Sequence, residues 1–238
     1  MRARFPLLAA ASAALAAACA SPPPPGTRTV SADVTALPVA AAPSATGARA
    51  MLEEGRRFVF RVRNEACLET GTAFSADGQI VTNRHVAAGA AALDMATWDG
   101  DDFKAQVSVH SDSTDLALLD GIPPDETFAT LAASDPQAGE QVWVVGYPLG
   151  DQLSVSAGKV LALLPGARFG VAGEVLELSN RVEPGNSGSP LLDSTGDVVG
   201  VAFAIDTANG DGLALPVSDV RALSGGGTGD ASPLPCAG

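Results

Sequence analysis

Cationic and aromatic residues are scarce in this chain of 238 residues. Lysines and arginines number 14 against 27 aspartates and glutamates, so the formal charge is −13, and aromatic residues make up 5%. An acidic surface without a basic cluster repels phosphate backbones, which excludes nucleic-acid binding. Hydrophobic residues still reach 46%, enough for one packed domain with extensions, or for two small halves, built mostly on valine, leucine and alanine.

Histidine and cysteine are also few, with two histidines and three cysteines in the chain. Zinc sites in proteins take three or four such ligands at short, regular spacings. The two histidines and the cysteine pair discussed below do not provide such a set. We therefore expect no metal, and no sequence motif indicates a cofactor.

The first segment, residues 1–20, has the composition of a signal peptide. Arg2 and Arg4 precede an uncharged, alanine-rich run from Phe5 to Ala20, which is too short for a comfortable membrane-spanning helix and suits export. Two alternative cleavage sites fit this segment. An Ala-Cys-Ala site around Cys19 fits ordinary secretion, whereas the run ending at Cys19 resembles a bacterial lipoprotein signal in which that cysteine is acylated. Both alternatives predict export, either with a lipid anchor in the cell envelope or periplasm, or as a secreted protein.

The odd cysteine count is explained if Cys19 carries the lipid. One pair, Cys67 and Cys236, then remains in an oxidising compartment, where disulfides persist. Closing so long a loop would stabilise the fold by roughly 4–5 kcal/mol in the chain-entropy description. Two free thiols are the alternative.

The remainder of the chain divides into a linker and a domain. Residues 21–48 are rich in proline, alanine, serine and threonine without a hydrophobic period, which predicts a linker. A short helix is predicted over Ala48–Glu54. Short apolar runs at roughly ten-residue spacing then predict an all-β sandwich or barrel. The exceptions are helical turns predicted over Val86–Ala92 and Ser218–Ser224.

The first predicted strand follows the short helix. Phe58, Phe60 and Val62 alternate with the arginines Arg57, Arg61 and Arg63. Alternation of this kind indicates a strand with one face buried.

One glycine-rich stretch, EPGNSGSPLLD, surrounds Ser187 with small residues. A serine hydroxyl is a poor nucleophile at neutral pH and needs a histidine base, oriented in turn by a carboxylate. His85 and His110 are the two available bases, and each follows a predicted strand, His110 in a polar loop. Taken alone, either histidine is more typical of a structural or solvated residue than of a catalytic one.

The motifs around His85 change that interpretation. GTAFSADGQIVTNRHV contains His85, STDLALL contains Asp115, and PGNSGSP contains Ser187, in that chain order. Together they resemble chymotrypsin-fold, trypsin-like serine proteases of the bacterial HtrA-like branch, and within it membrane-anchored periplasmic enzymes of actinobacteria. The resemblance covers roughly Cys67 to Cys236.

The resemblance implies a fold and a catalytic triad. The fold would be two six-stranded antiparallel β-barrels with short helical turns, within a protease domain over residues 49–238. The barrels would run over residues 57–130 and 131–222. His85 becomes the general base and Ser187 the nucleophile. Asp115 becomes the orienting carboxylate, in preference to Asp112 and Asp120, because it stands just before an alternating apolar strand.

The residues beside Ser187 carry further implications. The backbone amides of Gly185 and Ser187 would bind the oxyanion, and glycine permits a conformation there that a side chain would resist. Asn186 departs from animal digestive relatives, which have an aspartate that pairs with a newly freed amino terminus. Activation by trimming is therefore not expected. Ser189 stands where glycine is commoner.

Specificity is implied by the strand after the nucleophile. Val201, Ala202, Phe203 and Ala204 are expected to pair with a substrate strand and to line the pocket for the residue before the cut, which favours a modest apolar residue. We do not assign Arg181 to selectivity, because loop lengths differ between branches.

Two further expectations concern the end of the chain. Asp206 and Asp211 are expected at surface turns. HtrA relatives carry a PDZ module after the protease, and we expect none here because few residues follow the last predicted strand.

The predicted function is therefore an exported serine endopeptidase that acts on proteins or peptides through an acyl-enzyme on Ser187. Membrane contact would come from a lipid on Cys19, and nothing indicates an oligomeric state. A catalytically silent member that binds envelope proteins or peptides through its cleft is the alternative. A structural all-β module with a chance motif is a third interpretation.

Overall fold

Strands dominate the computed structural model, which describes residues 45–226, 229–230 and 235–236. The predicted signal peptide, Cys19 and the linker as far as residue 44 lie outside these residues. The strands are β1 (Val59–Asn64), β2 (Glu69–Ala76), β3 (Gln79–Thr82), β4 (Ala92–Ala96), β5 (Asp102–Ser111), β6 (Ala117–Asp120), β7 (Gln141–Gly146), β8 (Ser154–Pro165), β9 (Glu174–Leu178), β10 (Pro190–Leu192), β11 (Val198–Ile205), β12 (Gly212–Pro216) and β13 (Gly229–Asp230). The helices are α1 (Ala45–Gly55), α2 (Arg84–Ala87) and α3 (Val217–Ser224), with 3-10 turns at Pro148–Gly150 and Gly166–Phe169.

The helices agree only in part with the sequence predictions. Helix α1 begins at Ala45 rather than Ala48, so the last residues of the predicted linker are helical. Helix α3 matches the turn predicted near the end of the domain. The turn predicted over Val86–Ala92 is wrong in extent, because Gly89 adopts a φ of +73° and Ala92 already begins β4. Within the described part of the chain, no helix is long and apolar enough to span a bilayer.

The first six strands close into a barrel. Antiparallel pairing runs from β1 through β2, β3, β6, β5 and β4 and returns to β1. Strand β13, from the end of the chain, adds to β5 outside this ring. The interior is apolar and includes Phe60, Val62, Ile80, Leu93 and Leu119.

The next six strands form a second closed barrel. Pairing runs from β7 through β8, β9, β12, β11 and β10 and returns to β7. Val144, Leu176, Leu178 and Leu191 fill its interior. The prediction of an all-β fold of two six-stranded antiparallel barrels is confirmed.

A third apolar cluster joins the two barrels. Phe74 and Leu118 of the first barrel share this cluster with Trp143 and Val145 of the second. Val59 of β1 belongs to it as well and is fully buried. The face of β1 that carries the arginines is therefore also partly buried, because Val59 packs against the second barrel.

Candidate active site

Strand pairing brings His85 and Asp115 together. Thr82, at the end of β3, pairs with Ala117, at the start of β6. His85 follows Thr82 in the short helix α2, and Asp115 precedes Ala117 by two residues. The two side chains therefore meet at one end of the first barrel, although 30 positions separate them in the sequence.

The His85–Asp115 contact is short and partly sheltered. His85 Nδ1 lies 2.5 Å from Asp115 Oδ2. The aspartate side chain is 13% exposed and the imidazole 33% exposed. A carboxylate at this position holds the proton on Nδ1, which leaves Nε2 free to accept another.

The main chain fixes Asp115 from several directions. The backbone N–H of His85 donates to Asp115 Oδ1 at 3.0 Å. The Asn83 side chain donates to the Asp115 carbonyl at 2.7 Å, and the Arg84 N–H donates to it at 3.2 Å. These bonds set the orientation of the carboxylate independently of the imidazole. The sequence did not identify Asn83 as a residue that holds the backbone of Asp115.

The segment around Ser187 is a series of tight turns. The Asn186 N–H donates to the Glu183 carbonyl, and the Ser189 N–H donates to the Asn186 carbonyl, each at 2.9 Å. Gly185 has a φ of +92°, and a Cβ there would lie 2.4 Å from the Tyr147 carbonyl oxygen. A side chain at 185 is therefore excluded both by conformation and by space.

Two amides in this loop have no acceptor. Among the described residues, the N–H groups of Gly185 and Ser187 make no hydrogen bond, whereas those of Asn186, Gly188 and Ser189 do. Unpaired donors in a tight loop form a site for an anion or an oxyanion. They are the two amides that the sequence resemblance implied.

No hydrogen bond joins the Ser187 hydroxyl to the His85 ring among the described side chains. Ser187 is half-buried and the His85 side chain is one-third exposed, so both groups are accessible to solvent. Catalytic hydrogen bonds are often long in the absence of substrate and tighten when it binds.

Strand β11 has an open edge beside the loop that carries Ser187. Ala202 exchanges two hydrogen bonds with residues 188 and 189, and β10 pairs with β11 only as far as Val201. The register with β12 shifts between Ala202 and Ala204, which leaves Phe203 in a bulge. Val201 and Ala202 are fully buried and Phe203 is 8% exposed, so side-chain contact with a ligand is limited mainly to the half-buried Ala204.

Other residues singled out in the sequence are held in ion pairs or buried in a strand. Arg181 is exposed and binds Glu183 at 2.7 Å. Asp206 was expected at the surface, which is wrong: it is 5% exposed and binds Arg168 at 2.7 Å. His110 is buried on β5 rather than in a polar loop.

The two residues that depart from digestive relatives are both buried. The Ser189 hydroxyl lies 3.5 Å from Asn186 Oδ1. A Cβ at Gly146 would collide with both side chains. Asn186 is therefore packed against β7.

Within the residues described, no three His, Cys, Asp or Glu side chains gather to hold a metal ion.

The predicted cysteine pair is bonded. Cys67, in the β1–β2 hairpin, forms a disulfide with Cys236, with the Cα atoms 5.4 Å apart. Asn64 ties this hairpin to the segment after His85, because its side-chain amide donates to the carbonyls of Val86 and Ala88. The disulfide therefore lies next to the loop that carries the histidine.

One polar residue near the cleft has an altered ionisation. Tyr147 follows β7, and burial raises its pKa to about 12, although the Arg61 guanidinium acts in the opposite direction. The tyrosine is neutral at physiological pH. Its backbone carbonyl lies next to Gly185, in the loop that carries Ser187.

Comparison with known proteins gives a consistent set of relatives. Residues 69–201 match the family described as the trypsin-like peptidase domain. The chain is 33% identical over 189 residues to the putative serine protease HhoA of Synechocystis, covering 73% of this chain and 48% of that protein. It is 32% identical over 160 residues to a probable periplasmic serine endoprotease, DegP-like, of Chlamydia trachomatis, covering 65% of this chain and 32% of that protein. The chain thus spans between a third and a half of the length of these relatives.

A solved structure shares the fold over most of the chain. The active form of the Rv3671c protease from M. tuberculosis superposes with a TM-score of 0.71 at 26% sequence identity. The match covers 83% of this chain and 94% of that one.

Proposed function

Because the chain belongs to the trypsin-like peptidase domain family, we propose that it is a serine endopeptidase that hydrolyses peptide bonds through an acyl-enzyme on Ser187. The observation that carries the proposal is the combination of two halves of a site. The first barrel supplies the His85–Asp115 pair at 2.5 Å, and the second supplies Ser187, whose own amide and that of Gly185 have no acceptor among the described residues.

The chemistry follows from these groups. Asp115 holds the Nδ1 proton of His85, so Nε2 takes the proton of the Ser187 hydroxyl as the oxygen attacks the scissile carbonyl. The negative oxygen of the tetrahedral intermediate accepts hydrogen bonds from the Gly185 and Ser187 amides. The imidazolium then protonates the leaving amine. Water repeats the sequence on the ester and releases Ser187.

The bound polypeptide would add as a strand to the open edge of β11. Main-chain pairing at Phe203 and Ala204 provides affinity with little dependence on sequence. The bulge at Phe203 leaves backbone groups there outside the pairing with β12. A modest apolar residue before the cut fits an edge built from alanine and phenylalanine. Unfolded proteins and peptides are therefore the substrate class that we propose.

Export is part of the proposal and rests on sequence. Residues 1–20 have the composition of a signal peptide, and acylation of Cys19 would anchor the domain to a membrane. A relative from Chlamydia is described as periplasmic. Globomycin-sensitive processing and palmitate labelling that is lost in Cys19→Ala would distinguish the lipoprotein from a secreted form.

A single labelling experiment tests the enzymatic function. A fluorescent organophosphonate probe should modify the folded wild-type chain at neutral pH, and Ser187→Ala should abolish the modification. Turnover of unfolded casein should disappear in the same variant. A folded wild-type protein that binds casein but resists the probe, with no turnover, would instead establish the silent binding module. Repeating the labelling with and without reductant reports whether the Cys67–Cys236 bond affects the site.

A further inference from the structure

Thr72 lies at the junction of the two barrels, in strand β2 of the first. Its side chain is fully buried. Sequence patterns give it no role, since a threonine in a strand is ordinary. Its hydroxyl and its backbone N–H nevertheless bond to the second barrel, including the loop that carries Ser187.

Three hydrogen bonds join Thr72 to that loop and its neighbour. The Thr72 N–H donates to the Ser187 carbonyl at 2.8 Å. The Thr72 hydroxyl donates to the Gly185 carbonyl at 2.8 Å. The same hydroxyl accepts from the Tyr147 N–H at 3.1 Å. One residue therefore contacts the main chain on both sides of Asn186.

A second bond restrains the other side of Gly185. The Leu149 N–H donates to the Pro184 carbonyl at 2.6 Å. In a trans peptide the C=O and N–H point in opposite directions, so this bond directs the Gly185 N–H away from Leu149. With the Gly185 carbonyl held by Thr72, both peptide planes that flank the Gly185 Cα are fixed.

Glycine at 185 makes these restraints necessary. Its φ of +92° is open to glycine, but glycine also populates many other conformations at little cost. Rotation of either flanking peptide would turn the Gly185 amide away from the position of the oxyanion. Asn186 has no charge with which an amino terminus could pair, so neutral hydrogen bonds must hold this loop.

Threonine suits this task because its hydroxyl is confined. A branched β-carbon restricts χ1, and packing restricts it further. The Thr82 hydroxyl donates to the Thr72 carbonyl at 2.7 Å. Gly188 comes close enough to that carbonyl that a Cβ would lie 2.0 Å from it. The main chain of Thr72 is thus restrained by β3 and by Gly188, and its hydroxyl donates to the Gly185 carbonyl.

We propose that Thr72 is a positioning residue that fixes the oxyanion amides through its hydroxyl bond to the Gly185 carbonyl. The proposal rests on the proposed peptidase function and adds a residue from the first barrel to the oxyanion hole of the second. It predicts an effect on transition-state stabilisation with little effect on substrate affinity, because the amides engage fully only with the developing oxyanion.

Thr72→Val removes the hydroxyl while keeping the branched shape. We expect the organophosphonate labelling rate and kcat for unfolded casein to fall about 10- to 100-fold, less than for outright loss of an oxyanion donor, with KM nearly unchanged. Thr72→Ser should remain within about threefold of wild type in both rates. Ser75→Ala is the matched control, because it removes a buried hydroxyl of the same strand that donates to Thr127 far from the loop.

A second measurement does not depend on activity. Hydrogen exchange of the peptide covering residues 183–192 should be faster in Thr72→Val than in wild type and Ser75→Ala. If Thr72→Val fails to fold, Thr72→Ala takes its place, judged by its melting temperature beside that of Ser75→Ala.

The outcomes separate this proposal from the one it rests on. Wild-type labelling rate and exchange in Thr72→Val would overturn the positioning role and leave the peptidase function standing. A rate loss shared equally by Ser75→Ala would show that stability alone is affected and would also overturn it. A folded wild type that no probe labels would overturn both proposals together.

Discussion

The Asp115 carboxylate makes two different contacts, one with the His85 ring and one with the His85 backbone. One carboxylate oxygen binds the His85 ring, and the other accepts the His85 backbone N–H. Its carbonyl is held independently by Asn83 and Arg84. An amide of the same shape would retain the position of the chain here but would lose the charge that stabilises the imidazolium.

Asp115→Asn should therefore leave the fold intact and remove most activity. We expect kcat to fall by about 10⁴-fold, because the asparagine favours the wrong histidine tautomer. Casein turnover and the organophosphonate labelling rate measure the loss. Asp112→Asn, an exposed aspartate three residues earlier, is the control and should behave as wild type. Equal activity in the two variants would refute the assignment of Asp115.

Asp219 offers a second residue-scale test, this time of stability. It lies in the first turn of α3, where burial and the neighbouring Asp135 carboxylate raise its pKa to about 6. A raised folded-state pKa means that the folded protein favours the protonated form. The contribution of Asp219 to the stability of the folded state is therefore fully present below the ordinary pKa of 3.8. It is lost as the pH rises through the raised pKa of about 6.

Asp219→Asn should accordingly raise the melting temperature at about pH 8 by no more than about 3 °C, with solvent screening of this partly exposed group taken into account. The gain should shrink towards pH 4, where the aspartate is itself protonated. Melting curves across this range measure it. Asp125→Asn, an exposed aspartate, should show no such pH dependence. A gain that grows on acidification would contradict the assigned direction.

At the scale of elements, the end of the chain returns to the first barrel. Strand β13 adds to β5, and Cys236 bonds to the β1–β2 hairpin at Cys67. That hairpin is tied through Asn64 to the segment after His85. The final residues therefore brace the part of the first barrel that carries the base.

Cys236→Ser should lower stability. The bridge closes a loop of 169 positions, for which the chain-entropy description gives up to about 5 kcal/mol. Denaturant unfolding of wild type with and without reductant, beside the variant, measures the difference. Reductant should lower the wild type to the level of the variant and should not affect the variant. Equal stabilities with thiol assays showing an intact bridge in wild type would refute the prediction.

The elements also show where sequence reasoning succeeds and where it stops. Short apolar runs predicted strands, and the motifs around His85, Asp115 and Ser187 predicted which residues would meet. Val59 was missed because its burial comes from the second barrel, which no local period reports. Thr72 was missed because its bonds to Gly185 and Ser187 join residues more than a hundred positions apart. Helix α2 was misplaced because Gly89 ends it through a backbone conformation that alanine-rich sequence does not reveal.

At the scale of the whole molecule, the electric field of the net charge acts on a substrate before the two molecules touch. The formal charge of −13 produces a negative field that favours cationic polypeptides and repels acidic ones. The screening length is about 10 Å at 0.1 M salt, so this preference for cationic polypeptides is strong only at low ionic strength.

The ratio of kcat/KM for a cationic unfolded protein, such as reduced and alkylated lysozyme, to that for casein should therefore depend on salt. We expect it to fall several-fold between about 0.02 M and about 0.3 M sodium chloride. Sequence preferences of the cleft cancel in this comparison, since they are present at both salt concentrations. A ratio independent of salt would exclude steering by net charge.

The bond between Cys67 and Cys236 has one more consequence for a molecule of this kind. Every strand from β2 to β13 lies within the covalent ring that it closes. A cut in any loop of that ring leaves both pieces attached through sulfur. Nicked and intact molecules would then keep the same mass on a non-reducing gel and separate only after reduction. Such a cut would not release a fragment while the disulfide is intact, and the two pieces would separate only when the disulfide is reduced.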